Sequence, residues 1–230
     1  MFLGIIPARG GSKSIPNKNL IPAGGKPLLE WTVRAARNCC LNHTILSTDC
    51  HKIAAVGRRL GVDVPFIRPR ALSTDRASMI GVLQHALEWW ASSGRKDPEG
   101  IVLLQPTSPL RRSLDIDAAV GLFREKQADS VVSMMEVPHQ FNPVSLMVES
   151  ADGTLRSFLD GPQTLRRQDK PLVLARNGPA ILVLRPNLIR RGELYTNNTF
   201  PYRMNARNSL DIDEPHDLAI LNALWNEYEA

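Results

Sequence analysis

Short apolar runs of strand length alternate with amphipathic helical stretches, and this alternation limits the possible folds more than any other feature. Met1–Pro7 (MFLGIIP), Thr44–Ser47, Ile101–Leu104, Ser130–Met134 and Ala180–Leu184 read as strands. Leu28–Asn38, Asp49–Leu60, Ser78–Ala91 and Ser113–Gln127 read as helices, with Asp49 and Ser113 as N-caps and Gly61 just past a C-terminus. In Ser78–Ala91, Val82, Ala86 and Trp89 share one face, which Leu83, Leu87 and Trp90 widen. Strand and helix in alternation predict right-handed βαβ units, hence an α/β fold on a mostly parallel sheet. Length alone allows one to two domains, and residues 1–230 are read as a single domain with one insertion.

The rhythm breaks between about residues 137 and 170. Pro138, Pro143, Gly153, Gly161 and Pro162 punctuate this stretch, and Ser145–Val148 and Thr154–Phe158 read as a hairpin around Asp152-Gly153. Such an insertion is expected to be a lid or an interface element. The chain closes on a helix from Pro215 with Leu218, Leu221 and Trp225 inward.

Composition excludes several classes. At 43% hydrophobic and 22% charged residues the chain is an ordinary globular sequence. No apolar run approaches the roughly 18 residues of a membrane span, and the opening run is too short for a secretory leader. Cys39, Cys40 and Cys50 are odd in number and at no zinc spacing, which predicts buried, reduced thiols in a cytoplasmic protein. The net charge of +5 suits an anionic ligand without naming it.

In open α/β sheets ligands bind beyond the carboxyl ends of the strands. After the first strand stands ARGGSKSIPNKNL (8–20), with Arg9, Lys13, Lys18, two adjacent glycines and several amide or hydroxyl donors. This is the inventory of a polyphosphate cradle, although neither the Walker A nor the G-x-G-x-x-G spacing is present. After the IVLL strand, QPTSPLRR (105–112) forms a rigid turn that puts Gln105 at a strand end. In SLDID (209–213), extended backbone would turn Asp211 and Asp213 the same way, as a divalent cation requires. Arg166-Arg167 and Arg176-Asn177-Gly178 bracket the end of the insertion; a guanidinium there would recognise a carboxylate. No nucleophile elbow supports Ser-His-Asp chemistry.

Together these segments resemble the acylneuraminate cytidylyltransferases, or CMP-sialic acid synthetases. The signature A-R-x-x-S-K-x-[IL]-P-x-K-N stands here as Ala8–Asn19, and LLQPTSPLR (103–111), SVVS (130–133), Ser47-Thr48-Asp49, Arg68-Pro69, Thr74-Asp75, Ala77-Ser78, Asn177-Gly178 and Asp211-Ile212-Asp213 follow in order. The resemblance implies a Rossmann-like nucleotide-diphospho-sugar transferase fold and a Mg²⁺-dependent reaction of CTP with a 2-keto-3-deoxy sugar acid, releasing pyrophosphate. It further implies a homodimer, and neither nucleic-acid nor membrane partners are expected. Position by position it makes Arg9, Lys13 and Lys18 phosphate-binding cations, with Lys18 nearest the α-phosphate. Asn19, Arg68 and Gln105 match nucleotide or sugar contacts, Arg167 and Asn177 sugar contacts, and Asp211 and Asp213 metal ligands, with Lys18, Arg9 and Asp213 as the catalytic set. Met79 stands where many members carry a second serine, and RRQDKPLVLARNGPA (166–180) departs from the sialate form, which leaves the acceptor open. KDO, an aminoalkylphosphonate and a non-catalytic nucleotide-binding role are the alternatives.

Overall fold

The run FLGIIP is buried along nearly its whole length, as a strand flanked on both sides and covered on both faces must be. The computed structural model describes residues 1–161 and 166–229. Its strands are β1 (Phe2–Pro7), β2 (Pro22–Ala23), β3 (Lys26–Pro27), β4 (His43–Ser47), β5 (Gly100–Leu103), β6 (Ser130–Glu136), β7 (Met147–Glu149), β8 (Leu155–Ser157), β9 (Leu174–Arg176), β10 (Leu182–Leu184) and β11 (Thr199–Met204). Its α-helices are α1 (Leu28–Arg37), α2 (His51–Arg59), α3 (Met79–Ser92), α4 (Ser113–Glu125), α5 (Pro186–Arg191) and α6 (Pro215–Glu229).

The main sheet runs β11-β6-β10-β5-β1-β4, with β9 also paired to β6. β4, β1, β5, β6 and β11 point the same way, and β10 lies antiparallel between β5 and β6. One face of the sheet packs on α1, α2 and α4 through residues such as Val33, Ile53 and Phe123. The other packs on α3 and α5 through Leu83, Leu87, Leu188 and Ile189. A third, small apolar cluster of Ile15, Ala23, Leu28, Ile212 and Leu221 lies apart from the sheet. It fastens the loop after β1 to the segment before α6.

Several sequence expectations are corrected. Asp49 does not cap α2, which begins at His51, because its carboxylate accepts the amide of Gly10 instead at 2.8 Å. Ser113 is the first residue of α4 rather than its cap; Asp115 reaches back to the amide of Arg112 at 2.9 Å, and it also accepts from Tyr202 of β11 at 3.0 Å. The hairpin exists as β7–β8, shifted inward, with Gly153 at φ 82° in its loop. Pro162 lies outside the described residues. The three cysteines are free, but none is fully buried as expected: Cys39 and Cys50 are half-buried and Cys40 is exposed.

Candidate active site

Two crossovers leave the carboxyl ends of neighbouring strands, β1 and β5, and open a cavity of about 330 Å³ between them. It is lined by Arg9, Ser12, Lys18 and Asn19 from the first loop and Gln105, Pro106 and Thr107 from the second. Arg68, Thr74, Asp75 and Met79 close it from the segment leading into α3, and Asp213 from the segment before α6. Met79 therefore presents a thioether to the cavity where a serine would present a hydroxyl.

The first loop is fixed at several points. Asn17 adopts the left-handed conformation (φ 54°), which an asparagine tolerates, and turns the chain into a 3₁₀ turn at Lys18–Leu20. Lys18 is 9% exposed, and its Nζ donates to the Ile212 carbonyl at 2.8 Å and to Asp213 Oδ1 at 2.9 Å. Asn19 is buried, and its amide donates to the Arg9 carbonyl at 3.0 Å. Ser14 donates to the Asp213 carbonyl at 2.5 Å. Arg9 and Lys13 pair with the two oxygens of Asp75 at 2.6 and 2.7 Å. Arg68 is buried; burial pushes its guanidinium below the ordinary range, against the opposing pull of Asp49 at 3.9 Å.

The second loop is held by Arg111, a residue within the quoted block to which the sequence assigns no role. Its guanidinium is buried and donates to the carbonyls of Gln105 (3.0 Å) and Ala180 (2.6 Å) and to the Thr32 hydroxyl (2.7 Å). Burial lowers its pKa to about 10, so it stays charged at neutral pH. The Ile212 amide donates to the Thr107 carbonyl at 2.8 Å, tying the aspartate segment to this loop.

The two aspartates differ. Ile212 is fully buried in the third cluster and anchors the segment. The Asp213 side chain is 73% exposed and lines the cavity. Asp211 lies behind it with a buried carboxylate oxygen; burial pushes its carboxyl above the ordinary range against a side-chain hydrogen bond from Thr107, and Asp213 adds to the rise. Gly178, at φ 115°, stands beside Asp211, where a Cβ would come within 3.4 Å of its carboxylate oxygen. Gln105 donates to the Gly178 carbonyl at 3.2 Å.

The remaining candidates do not line this cavity. Asn177 is buried where the chain between β9 and β10 leaves the ladder of β6. Its side chain accepts from Ser133 (2.6 Å) and donates to Ser209 (2.9 Å), so it knits β6 to the segment before Asp211. Arg167 is exposed and lines a second cavity of about 260 Å³ in the insertion, with Glu136, His139, Asn142 and Lys170. Lys13 is 81% exposed at the rim. Among the described residues no three His, Cys, Asp or Glu converge on a metal site.

This geometry gathers cations and the Asp213 carboxylate, with Asp211 behind it, around a pocket in the volume range of small-molecule sites. A family described as "Cytidylyltransferase" matches residues 3–228. The chain belongs to that family. Its relatives include the N-acylneuraminate cytidylyltransferase of Streptococcus agalactiae serotype V, 31% identical over 97% of this chain and 53% of that protein. The CMP-N,N'-diacetyllegionaminic acid synthase of Legionella pneumophila is 30% identical over 97% of this chain and 95% of that one. The chain thus spans about half the length of the Streptococcus protein and nearly all of the Legionella protein. Among solved structures, CMP:2-keto-3-deoxy-manno-octonic acid synthetase complexed with CTP superposes with a TM-score of 0.73 at 18% identity, covering 99% of both chains, which shows the fold.

The Arg111 clamp yields a test within this cytidylyltransferase fold. An ammonium cannot reach three acceptors held in the plane of a guanidinium. Arg111→Lys should therefore lose about 2–4 kcal/mol in urea unfolding, because it strands buried carbonyls. A loss under about 0.5 kcal/mol would show that the clamp is dispensable.

Proposed function

We propose that this chain transfers CMP from CTP to the anomeric hydroxyl of a sialic-acid-like 2-keto-3-deoxy sugar acid and releases pyrophosphate. One observation carries the reading: Lys18, from the loop after the first strand, has its ammonium at the cavity wall, held by Ile212 and Asp213 from the far end of the chain. An ammonium so held meets developing phosphate charge without reorganising. The names of the relatives, which include synthases of CMP-linked legionaminic acid and cytidylyltransferases of N-acylneuraminate and pseudaminic acid, supply the acceptor class.

In this mechanism the anomeric oxygen attacks the α-phosphorus in line. The new O–P bond forms as the bond from the α-phosphorus to the α,β-bridging oxygen breaks, and pyrophosphate leaves with that electron pair. Lys18 stabilises the α-phosphate, and Arg9 and Lys13 hold the leaving group. Arg68, Asn19 and Gln105 orient the nucleotide and the acceptor. The proton from the attacking hydroxyl passes to Asp213, whose exposed carboxylate lines the cavity.

Mg²⁺ fits the donors present. Asp211 offers a buried carboxylate oxygen beside the Thr107 side chain, and Asp213 stands two residues on. Magnesium takes one or two carboxylates and completes its shell with phosphate oxygens and water. Bound there by Asp211 and Asp213, it would supply Lewis-acid neutralisation of phosphate charge.

The insertion supports a homodimer. Of twelve exposed large hydrophobic side chains among the described residues, seven lie between Phe141 and Leu172. The β7–β8 hairpin pairs with no other strand among them. A two-stranded ribbon with an apolar, uncovered surface needs a partner. In the dimer Arg167 reaches the partner's sugar site and clamps the carboxylate, with the structural Asn177 behind that site. Among the described residues no helix is long and apolar enough to cross a membrane. The three free cysteines suit a cytoplasmic setting.

Two measurements test these readings. Pyrophosphate release from CTP should require a nonulosonic acid and Mg²⁺, vanish in EDTA, and be absent with an aminoalkylphosphonate; Lys18→Ala should lower kcat by about 10²–10³ with little change in CTP affinity. Release with none of the sugar acids, or a Lys18→Ala variant altered only in KM, would refute the mechanism. Light scattering should give a dimer that the Leu155→Lys/Phe158→Lys double variant splits, and a fully active wild-type monomer would refute the shared site.

A further inference from the structure

Two cations of the first loop, Arg9 in the cavity wall and Lys13 beside it, are already occupied by one carboxylate of the chain itself. Arg9 Nη1 meets Asp75 Oδ1 at 2.6 Å and Lys13 Nζ meets Asp75 Oδ2 at 2.7 Å. Each carboxylate oxygen thus takes one cation, the same two-pronged arrangement that two phosphate oxygens would offer. Both Arg9 and Asp75 line the cavity, and Asp75 makes no other hydrogen bond or ion pair among the described residues.

The pair is not what holds the loop in place. The Gly10 amide is fixed by Asp49, the Arg9 carbonyl by Asn19, and Ser14 and Lys18 by Asp213 and Ile212. Removing the Asp75 charge leaves these ties intact and frees two cations at the mouth of the cavity. The ion pairs are exposed to water, so each is weak and open to displacement by a ligand of higher charge. A pyrophosphate or triphosphate tail has that charge and more than two oxygens to share.

We propose that Asp75 is a positioning residue that stands in for the phosphates. In the free protein it pins Arg9 and the otherwise solvated Lys13 in a ligand-ready arrangement. The incoming triphosphate displaces it. After transfer it competes for the same two cations and speeds the departure of pyrophosphate. This inference rests on the nucleotidyl-transfer reading and names a control on product release from that same site.

The test is calorimetric binding of pyrophosphate to wild type, Asp75→Asn and Asp75→Glu, at low and high salt. Asp75→Asn should bind pyrophosphate about three- to tenfold tighter at low salt. The gain should shrink at high salt, where exposed charges are screened. Asp75→Glu, which keeps the charge, should stay close to wild type. In turnover, product inhibition by pyrophosphate should tighten in Asp75→Asn by the same factor. Unchanged or weaker binding in Asp75→Asn, with wild type binding pyrophosphate and CTP normally, would overturn the role of Asp75 and leave the nucleotide site standing. A gain that is undiminished at high salt would overturn it as well. If wild type bound neither pyrophosphate nor CTP, the nucleotide reading itself would fall, and this inference with it.

Discussion

Lys18 and the segment Ile212–Asp213 are separated by almost the entire chain, and their contact is the one on which the rest of the site depends. A lysine buried to 9% exposure must satisfy its ammonium, and here three acceptors do so: the carbonyls of Ile212 and Asp213 and the Asp213 carboxylate. The arrangement fixes the ammonium at the cavity wall. It also commits the loop after β1 to one position relative to the C-terminal helix. Without it, the cations of the first loop and the aspartates of the last segment would belong to separate surfaces.

Apolar packing makes that contact possible. Ile15, Ala23, Leu28, Ile212 and Leu221 form a cluster distinct from the two faces of the sheet. The buried isoleucine between the two aspartates roots the segment and separates their environments: Asp213 faces the cavity and solvent, and Asp211 is pushed inward. The Ile212 amide is spent on Thr107, so three loops from three parts of the chain meet at one residue. Arg111 closes the arrangement from below by binding the carbonyls of Gln105 and Ala180.

Much of the architecture was legible because hydrophobic periodicity and strand-terminal polar loops are local signals. β1, β4, β5 and β6, the helices between them and the hairpin are where the pattern puts them, and Arg9, Lys18, Asn19, Arg68, Gln105 and Asp213 converge on one cavity. Other features are settled by contacts that no local pattern encodes. The antiparallel direction of β10 is invisible in LVL. β11 reads TFPYRM, and Pro201 within it argues against a strand, yet it is an edge strand, where proline is tolerated. Asp49 has the chemistry of a helix cap, but the Gly10 amide across the sheet edge claims it. Asn177 stands in a motif that suggests ligand contact, and its bonds to Ser133 and Ser209 inside the fold have no counterpart in that local pattern. The partnership of Asp75 with Arg9 and Lys13 spans more than sixty residues and had no signal beyond the presence of an acid near a motif.

If the ammonium of Lys18 and the carboxylate of Asp213 act as one unit, a double-mutant cycle on kcat/KM measures it directly. Lys18→Ala, Asp213→Ala and the double variant would be compared with wild type in pyrophosphate release. The account predicts strong non-additivity, with the double variant no slower than the worse single variant, because either change dismantles the same unit. Losses that simply multiply would show that the two groups act independently and would contradict the account at its base.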